Sequence, residues 1–366
     1  MNRKLTYSQV GDDYDNIKDP VKKLAQKFAK STTINLIKKG FKEVSETRGE
    51  SAYVWQQGDI HMAFAVEGLG TKNLIADKID AGEKYYQSIA YDAVATIIND
   101  LVSVGANPLV LNAYWAIPNN NWLKNKKRIE SLILGWKKAC DAAGVSWGGG
   151  ETATLNGIIK NGTVDLGGAA VGIIRNKKRL LIDTNLKTSD RVVFLRSNGI
   201  NSNGISLVRA LEKRLPQGYL TKLGNGKTFG DEALRKSNIY AKLINRILDL
   251  GIRLHYISNI TGHGLRKIMR SERNFTYIIE KIIAPPELFN FIQEKLKLSD
   301  YEMYQTFNMG MDYALFVDKK DVDRTLDVIK KEGFSGINAG YIKIGKRQVL
   351  IKPKNIVYEG KTLKLR

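Results

Sequence analysis

The sequence predicts a two-domain α/β (α+β) protein, and three observations carry that prediction. The chain has 366 residues, enough for two cores at roughly 150 residues per domain. Each half combines runs of period two with runs of period 3.6, joined by glycine-rich turns, which is the pattern of strand, turn and helix. Between the halves, Arg175 to Asp190 mixes basic residues with Asp183 and Asn185 and has no periodicity. The boundary is therefore expected inside that segment, giving an N-terminal unit of residues 1–175 and a C-terminal unit of residues 176–366.

In chain order, Asp19-Pro20 is a helix start, and Val21, Leu24, Ala25 and Phe28 repeat with helical spacing as one buried stripe. Lys38 to Gln57 holds glycines and mixed charges and reads as a loop. Ile60, Met62, Phe64 and Val66 alternate as a strand that ends at Glu67-Gly68-Leu69-Gly70-Thr71-Lys72. A helix is expected over Lys84 to Val104, with Asp92, Asn99 and Asp100 gathered on its polar face. Leu109 to Ile117 reads as a strand, Ile129 to Ala143 as an amphipathic helix, Gly148 to Glu151 as a glycine-rich turn and Val164 to Ile174 as a strand. Cys140 lies on the apolar stripe of its helix and reads as core. In the second half, Val192 to Leu195 and Thr276 to Ile283 read as strands, and Gly204 to Leu215 and Ile239 to Leu250 as helices. The basic end, Lys343 to Arg366, reads as a solvated edge strand and tail.

Composition narrows the class further. With 43% hydrophobic and 26% charged residues, the chain has the mix of a soluble globular protein, which excludes disordered and fibrous classes. Lys and Arg number 58 against 37 Asp and Glu, a formal net charge of +21. That surplus favours anionic partners such as phosphorylated metabolites, nucleotides or nucleic acid. No stripe interleaves aromatic and basic residues, which argues against nucleic acid. The single cysteine can make neither an internal disulfide nor a cysteine metal site, so a reducing compartment, the cytoplasm, is expected. No stretch approaches ~18 uninterrupted apolar residues, and Met1 to Gln9 has no apolar signal core, so neither secretion nor a membrane span is expected.

Three segments and one scattered set of carboxylates have residues suited to phosphate chemistry. Gly68-Leu69-Gly70-Thr71-Lys72 directly after a strand offers backbone N–H groups, a hydroxyl and an ammonium to a phosphate, although its spacing is not that of the nucleotide-binding P-loop. Glu67 sits beside that turn, Asp92 and Asp100 share a helix face, and Glu151 follows three glycines, so these four carboxylates could converge. If they converge, their oxygens suit Mg²⁺ bridging ATP phosphates. Ser197-Asn198-Gly199-Ile200-Asn201-Ser202-Asn203-Gly204 lies between a strand and a helix, with Asn203 as the expected cap. Asn259-Ile260-Thr261-Gly262-His263-Gly264 repeats the arrangement, and both turns present a helix start to an anion. His61 and His255 fall inside expected strands and read as packing residues.

Taken together, these segments resemble the phosphoribosylformylglycinamidine cyclo-ligase family, also called aminoimidazole ribonucleotide synthetase. The similarity covers nearly the whole chain. The matching residues run in the family's order: Leu5-Thr6-Tyr7 with Gly11-Asp12, Glu67 to Lys72, Asn99-Asp100-Leu101 with Gly105 to Leu109, and Gly149 to Ala153. They continue through Gly168 to Gly172, Ser202-Asn203-Gly204 with Ser206 to Arg209, Thr261-Gly262, and Met303-Tyr304 with Thr306-Phe307-Asn308. The resemblance implies an aminoimidazole ribonucleotide synthetase-like fold. In that fold the N-terminal domain contributes strands to a β-barrel shared by a homodimer, ATP lies near the dimer interface, and a C-terminal α/β sandwich holds substrate. It also implies an enzyme that uses ATP and Mg²⁺ to convert formylglycinamidine ribonucleotide to aminoimidazole ribonucleotide.

Carried over position by position, the resemblance implies Glu67, Asp92, Asp100 and Glu151 at the metal. Gly68, Gly70, Thr71, Lys72, Asn99, Gly150 and Thr152 would lie at the nucleotide. Ser197, Asn198, Asn201, Ser202, Asn203, Gly204, Thr261 and Gly262 would lie at the substrate, and Met303 to Asn308 would form a structural edge of the cleft. Lys72 and Asp100 are the expected catalytic pair. The chain departs from the family pattern at Glu67, where Asp is usual, at Ala113 for Asp, and at Asn201 for His. Thr154 and Asn156 replace Glu and Pro, and Asn259 and His263 alter a His-x-Thr-Gly-Gly-Gly motif. His263 is a candidate to supply proton transfer in place of the histidine missing at Asn201. Cys140, the only cysteine, is not near the N-terminal glycine loop, and the chain ends Leu365-Arg366, which argues against the selenophosphate and hydrogenase-maturation branches of the superfamily. A thiamine-monophosphate kinase-like activity and a catalytically silent nucleotide-binding homologue stay open as alternatives.

Overall fold

A computed structural model describes residues 18–80 and 83–363. The Leu5-Thr6-Tyr7 and Gly11-Asp12 segments and the last three residues lie outside them. Two helices lead in, α1 (Asp19–Ser31) and α2 (Thr33–Ile37). Six strands follow as one sheet: β1 (Lys42–Glu43), β2 (Tyr53–Gln57), β3 (Ile60–Gly68), β4 (Asn107–Ile117), β5 (Ser146–Thr154) and β6 (Asp165–Ile174), in the order β1-β2-β3-β6-β4-β5. All neighbours are antiparallel except β4 and β5. Between strands come α3 (Asn73–Asp80), α4 (Tyr86–Val102) and α5 (Lys126–Ala143). Helix α4 packs on β3 and β6, and α5 packs along α4.

The first sheet has the expected period but the opposite face inward. In β3 it is Ala63 and Ala65 that are buried under α4, while Ile60, Phe64 and Val66 face solvent, with Val66 62% exposed. On β4, which lies beyond β6 in the same sheet, Val110 and Tyr114 are exposed too. Small side chains let the helix, itself buried nearly all round, sit close to the sheet. The large side chains are left as an outer apolar face.

A second sheet of seven strands follows: β7 (Arg191–Arg196), β8 (Leu254–Asn259), β9 (Phe275–Ile279), β10 (Met311–Val317), β11 (Gly336–Ile344), β12 (Gln348–Ile351) and β13 (Ile356–Glu359), in the order β13-β12-β9-β11-β7-β10-β8. Strands β7, β8, β9 and β10 are buried along their length apart from the ends of β7, the mark of a sheet covered on both faces. Six helices cover it: α6 (Ile205–Glu212), α7 (Phe229–Ala233), α8 (Ala241–Asp249), α9 (Glu287–Leu296), α10 (Asp300–Thr306) and α11 (Val322–Lys331).

Several expectations are corrected. The α1 stripe is not buried in this chain, since Val21, Leu24 and Phe28 are 62%, 57% and 67% exposed. The expected loop before β3 contains β2, which forms a hairpin with it around Gly58. The expected turn at Gly148 to Glu151 is the middle of β5, where Gly150 lies flat against β4: a Cβ there would meet the Ala113 carbonyl oxygen at 2.2 Å. Helix α3 was hidden by its brevity. Asn203 is not the cap of α6; that place is taken by Gly204 at φ +75°, with no side-chain cap. At the basic end, β13 is an edge strand as expected, but β12 is internal, with Val349 and Ile351 fully buried.

Candidate active site

A cavity of about 500 Å³ lies where the two sheets' loops face each other. From the first unit, the end of β3 supplies Glu67, Gly68, Leu69, Gly70 and Thr71, and α4 supplies Thr96 and Asp100. From the second come the turn before α6, with Ser202 and Asn203, and the turn after β8, with Thr261, Gly262 and His263. Lys22, Lys267 and Arg270 border the same space. The Thr96 and Ser202 hydroxyls, one from each unit, stand 3.5 Å apart.

Glu67 and Asp100 are the carboxylates that meet. Burial and the adjacent Asp100, to which it hydrogen-bonds, push the Glu67 carboxyl up to about 7, against a pull down from Lys267. Asn259 donates from Nδ2 to Asp100 Oδ1 at 2.6 Å, fixing the orientation of that carboxylate from the second unit. Lys267 donates to the Thr261 hydroxyl, and burial together with Arg270 lowers its ammonium to about 8. Arg270 is engaged by Glu50 at 3.2 Å and donates to the Gly49 carbonyl. Two crowded carboxylates, one of them holding a proton up to near neutral pH, are relieved by a divalent cation. Their hard oxygens fit Mg²⁺.

The other two expected metal residues lie elsewhere. Asp92 is two helical turns from Asp100 on α4 and forms an ion pair with Lys72 at 2.5 Å, both side chains fully buried. Lys72 also donates to the Arg235 carbonyl at 2.9 Å, and the Ser237 N–H donates to Asp92 at 2.6 Å. This pair pins α4 to the second unit and lines no part of the cavity. Glu151 is exposed on β5, the sheet's outer edge, with Gly150 and Thr152 beside it. Among the described residues no group of three or more metal-ligating side chains assembles. The expected four-carboxylate cluster is therefore a pair within one chain.

Asn99 also ties the units together rather than facing the cavity. Its Nδ2 donates to the Asn238 carbonyl at 2.8 Å, its Oδ1 accepts from the Tyr240 N–H at 3.1 Å, and its carbonyl accepts from the Tyr313 hydroxyl. In the turn before α6, Ser197 bonds within the turn to Gly199, and Asn198 reaches the Lys236 carbonyl at 2.7 Å. Asn201, at φ +58°, donates to Asp312 at 2.6 Å. Asp312 accepts in turn from the Tyr240 hydroxyl at 2.7 Å, and its carbonyl accepts from Ile260 in the other turn at 2.7 Å. Asp312 thus holds both glycine turns and, through Tyr240, the helix that carries Asp100. Gly204 is required at the start of α6, because a Cβ there would meet the Phe307 ring at 2.1 Å. Asn308 donates to the Gly199 carbonyl at 3.0 Å, so the Met303 to Asn308 segment forms a supporting wall.

His263 is buried at the cavity, with Nε2 3.8 Å from Asp19. Burial and the cations Lys267, Arg266, Lys22 and Arg270 hold its imidazole down to about 2. An imidazole so held is neutral at physiological pH. His255 is a packing residue bonded to Asp190 at 2.9 Å. Sequence reasoning missed Lys267, Arg270 and Asp312. The first two follow the Gly262-His263-Gly264 turn at spacings that return to its side, a signal that was legible. Asp312 sits inside an apolar strand, Met311 to Val317, and only its burial among polar partners gives it meaning.

Fold and cavity together define a two-domain α/β protein whose domains enclose an oxygen-rich, cation-bordered cleft suited to a phosphorylated ligand. Family models assign the domains: residues 49–174 match the AIR synthase related protein N-terminal domain, and residues 187–351 match its C-terminal domain. The chain belongs to the AIR synthase related family. It is 30% identical to the phosphoribosylformylglycinamidine cyclo-ligase of Methanocaldococcus jannaschii, over 82% of this chain and 87% of that protein. Against the cyclo-ligase of Clostridium perfringens the identity is 30%, over 95% of this chain and all of that one. Among solved structures, a HypE–HypF complex aligns with a TM-score of 0.59 at 15% identity, covering 82% of this chain and 89% of that chain. A thiamine-monophosphate kinase from Stenotrophomonas maltophilia aligns with a TM-score of 0.56 at 15% identity, covering 79% and 85%. These structural likenesses speak to the fold.

Proposed function

We propose that this chain is an ATP-dependent cyclo-ligase of purine biosynthesis. It converts formylglycinamidine ribonucleotide to aminoimidazole ribonucleotide, as its relatives' names indicate for them. The observation that carries the reading is the Glu67–Asp100 pair facing the two glycine turns across one cavity. ATP phosphorylates the formyl oxygen, the amidine nitrogen attacks that carbon, and inorganic phosphate leaves. Ring closure is intramolecular, so the protein's task is positioning and charge compensation more than strong acid–base catalysis.

Glu67 and Asp100 would hold Mg²⁺, which when bound neutralises charge on the transferring phosphoryl group. Gly68, Gly70 and Thr71 offer N–H groups and a hydroxyl to the triphosphate, and Lys267 and Arg270 add positive charge on the opposite wall. Ser202, Asn203, Thr261 and Gly262 orient the ribonucleotide. Lys72, Asp92 and Asn99 keep the two walls in register.

The exposed apolar face of the first sheet supports a homodimer formed through that face. Gly150, Glu151 and Thr152, on the free edge strand, would reach nucleotide only across such an interface. Division of the chain near residues 175 and 176, with the first unit serving nucleotide and dimerisation, belongs to the same proposal, as does a cytoplasmic location. Incubating the protein with ATP, Mg²⁺ and formylglycinamidine ribonucleotide tests it: ADP and the aminoimidazole should appear in equal amounts. ADP formed only with a different phosphorylated acceptor, or no ADP, would contradict it.

A further inference from the structure

A second cleft of about 530 Å³ opens beside the active-site cavity, and Ser206 lines both. Its wall is one face of α6: Ser206, Arg209, Ala210 and Lys213 recur at i, i+3, i+4 and i+7, a single ridge running from cavity to cleft. The ridge is about 10 Å long at the helical rise, the reach of a ribose 5-phosphate arm. Lys160 and Thr163 from the loop before β6 form the opposite wall. One carboxylate, Glu212, lines the cleft, and Lys78 engages it at 2.7 Å. Among the described residues no salt bridge engages Lys160, Arg209 or Lys213, so three cations face one small space without compensation.

We propose that this cleft is the phosphomonoester subsite, in which Arg209, Lys213 and Lys160 bind the 5′-phosphate of the ribonucleotide substrate. The assignment rests on the cyclo-ligase reading for the identity of the substrate but not for the chemistry of the site. A dianion at the end of a short arm matches cations grouped at the end of a ridge, and guanidinium plus ammonium is the usual donor set for it. Glu212 is kept from repelling the ligand by Lys78.

Calorimetric titration with ribose 5-phosphate tests the subsite without turnover. The intact protein should bind it, and Arg209→Gln and Lys213→Gln should each weaken binding by about tenfold, the scale of one charge-assisted contact. In steady state the same variants should raise KM for the ribonucleotide and leave KM for ATP in place. Lys319→Gln, an equal charge loss on a remote exposed turn, should move neither value, and thermal melting checks that each variant is folded. Failure of the intact protein to bind ribose 5-phosphate, or equal binding by the cleft variants, overturns the subsite. Turnover with an unshifted ribonucleotide KM in those variants overturns it while sparing the cyclo-ligase reading. Binding through these residues without any turnover of formylglycinamidine ribonucleotide sinks that reading and keeps the subsite.

Discussion

At the scale of single residues, the Glu67 carboxyl governs the behaviour of the site. Its carboxyl titrates from 4.5 in the unfolded chain to about 7 in the folded one, so the folded state binds more protons between those values. The contribution of Glu67 to the stability of the metal-free protein therefore falls as pH rises from about 4.5 through about 7, while His263, held down to about 2, contributes the opposite slope below 6.5. The difference in melting temperature between the intact protein and Glu67→Gln isolates the Glu67 share and should move against the intact protein as pH rises through that window, because the slopes of His263 and of Asp77, pushed up to about 6 by burial, are common to both. Mg²⁺ binding near pH 6.5 should release protons, read as a buffer-dependent calorimetric heat, and Glu67→Gln should abolish the release. His263→Gln should keep the pH profile of turnover between pH 6 and 9, because an imidazole held at about 2 changes no charge there. A lost basic limb would show that it does relay protons. The sequence made Glu67 and Asp100 legible through their neighbouring motifs. It could not separate them from Asp92, because on a helix face a ligand and an ion-pair partner look alike until a lysine such as Lys72 is seen to approach.

At the scale of elements, α4 and the turns that meet it decide whether the site is assembled. Lys72→Met leaves Asp92 buried without its cation. The expected cost is about 3–5 kcal/mol, seen as a large drop in melting temperature, with stability partly restored by adding Asp92→Leu. A variant of native stability that had merely lost turnover would instead return Lys72 to the phosphates. Asp312→Ala should raise KM for the ribonucleotide more than it lowers the melting temperature, since it frees both turns at once. Asp312→Asn, which keeps an acceptor for Asn201, should recover part of the loss. Periodicity made β3, β4, α4, α5 and β6 legible, because each is long enough to repeat its period several times. It failed at β5, where Gly150 serves close strand contact against Ala113, and Gly148 against Asn112, rather than a turn. It also failed at β2, a five-residue strand hidden by the charges and glycines of the segment just before it and held as the partner of β3.

At the scale of the whole molecule, the outer face of the first sheet and the exposed stripe of α1 are where the pattern in the sequence and burial in one chain part company. Alternation in β3 was correct in period, but the large residues point away from α4, which is the arrangement expected when a second protein surface completes the core. Val66→Asp should convert the protein to a monomer in sedimentation experiments and reduce turnover. A wild-type monomer would contradict the shared-sheet arrangement.

The most direct test of the central claim is anomalous diffraction from crystals grown with Mn²⁺ and a non-hydrolysable ATP analogue. The account predicts a metal peak between Glu67 and Asp100, facing the Ser202–Gly204 and Thr261–Gly262 turns. A peak at Asp92, or at Glu151 with none at Glu67 and Asp100, would contradict it.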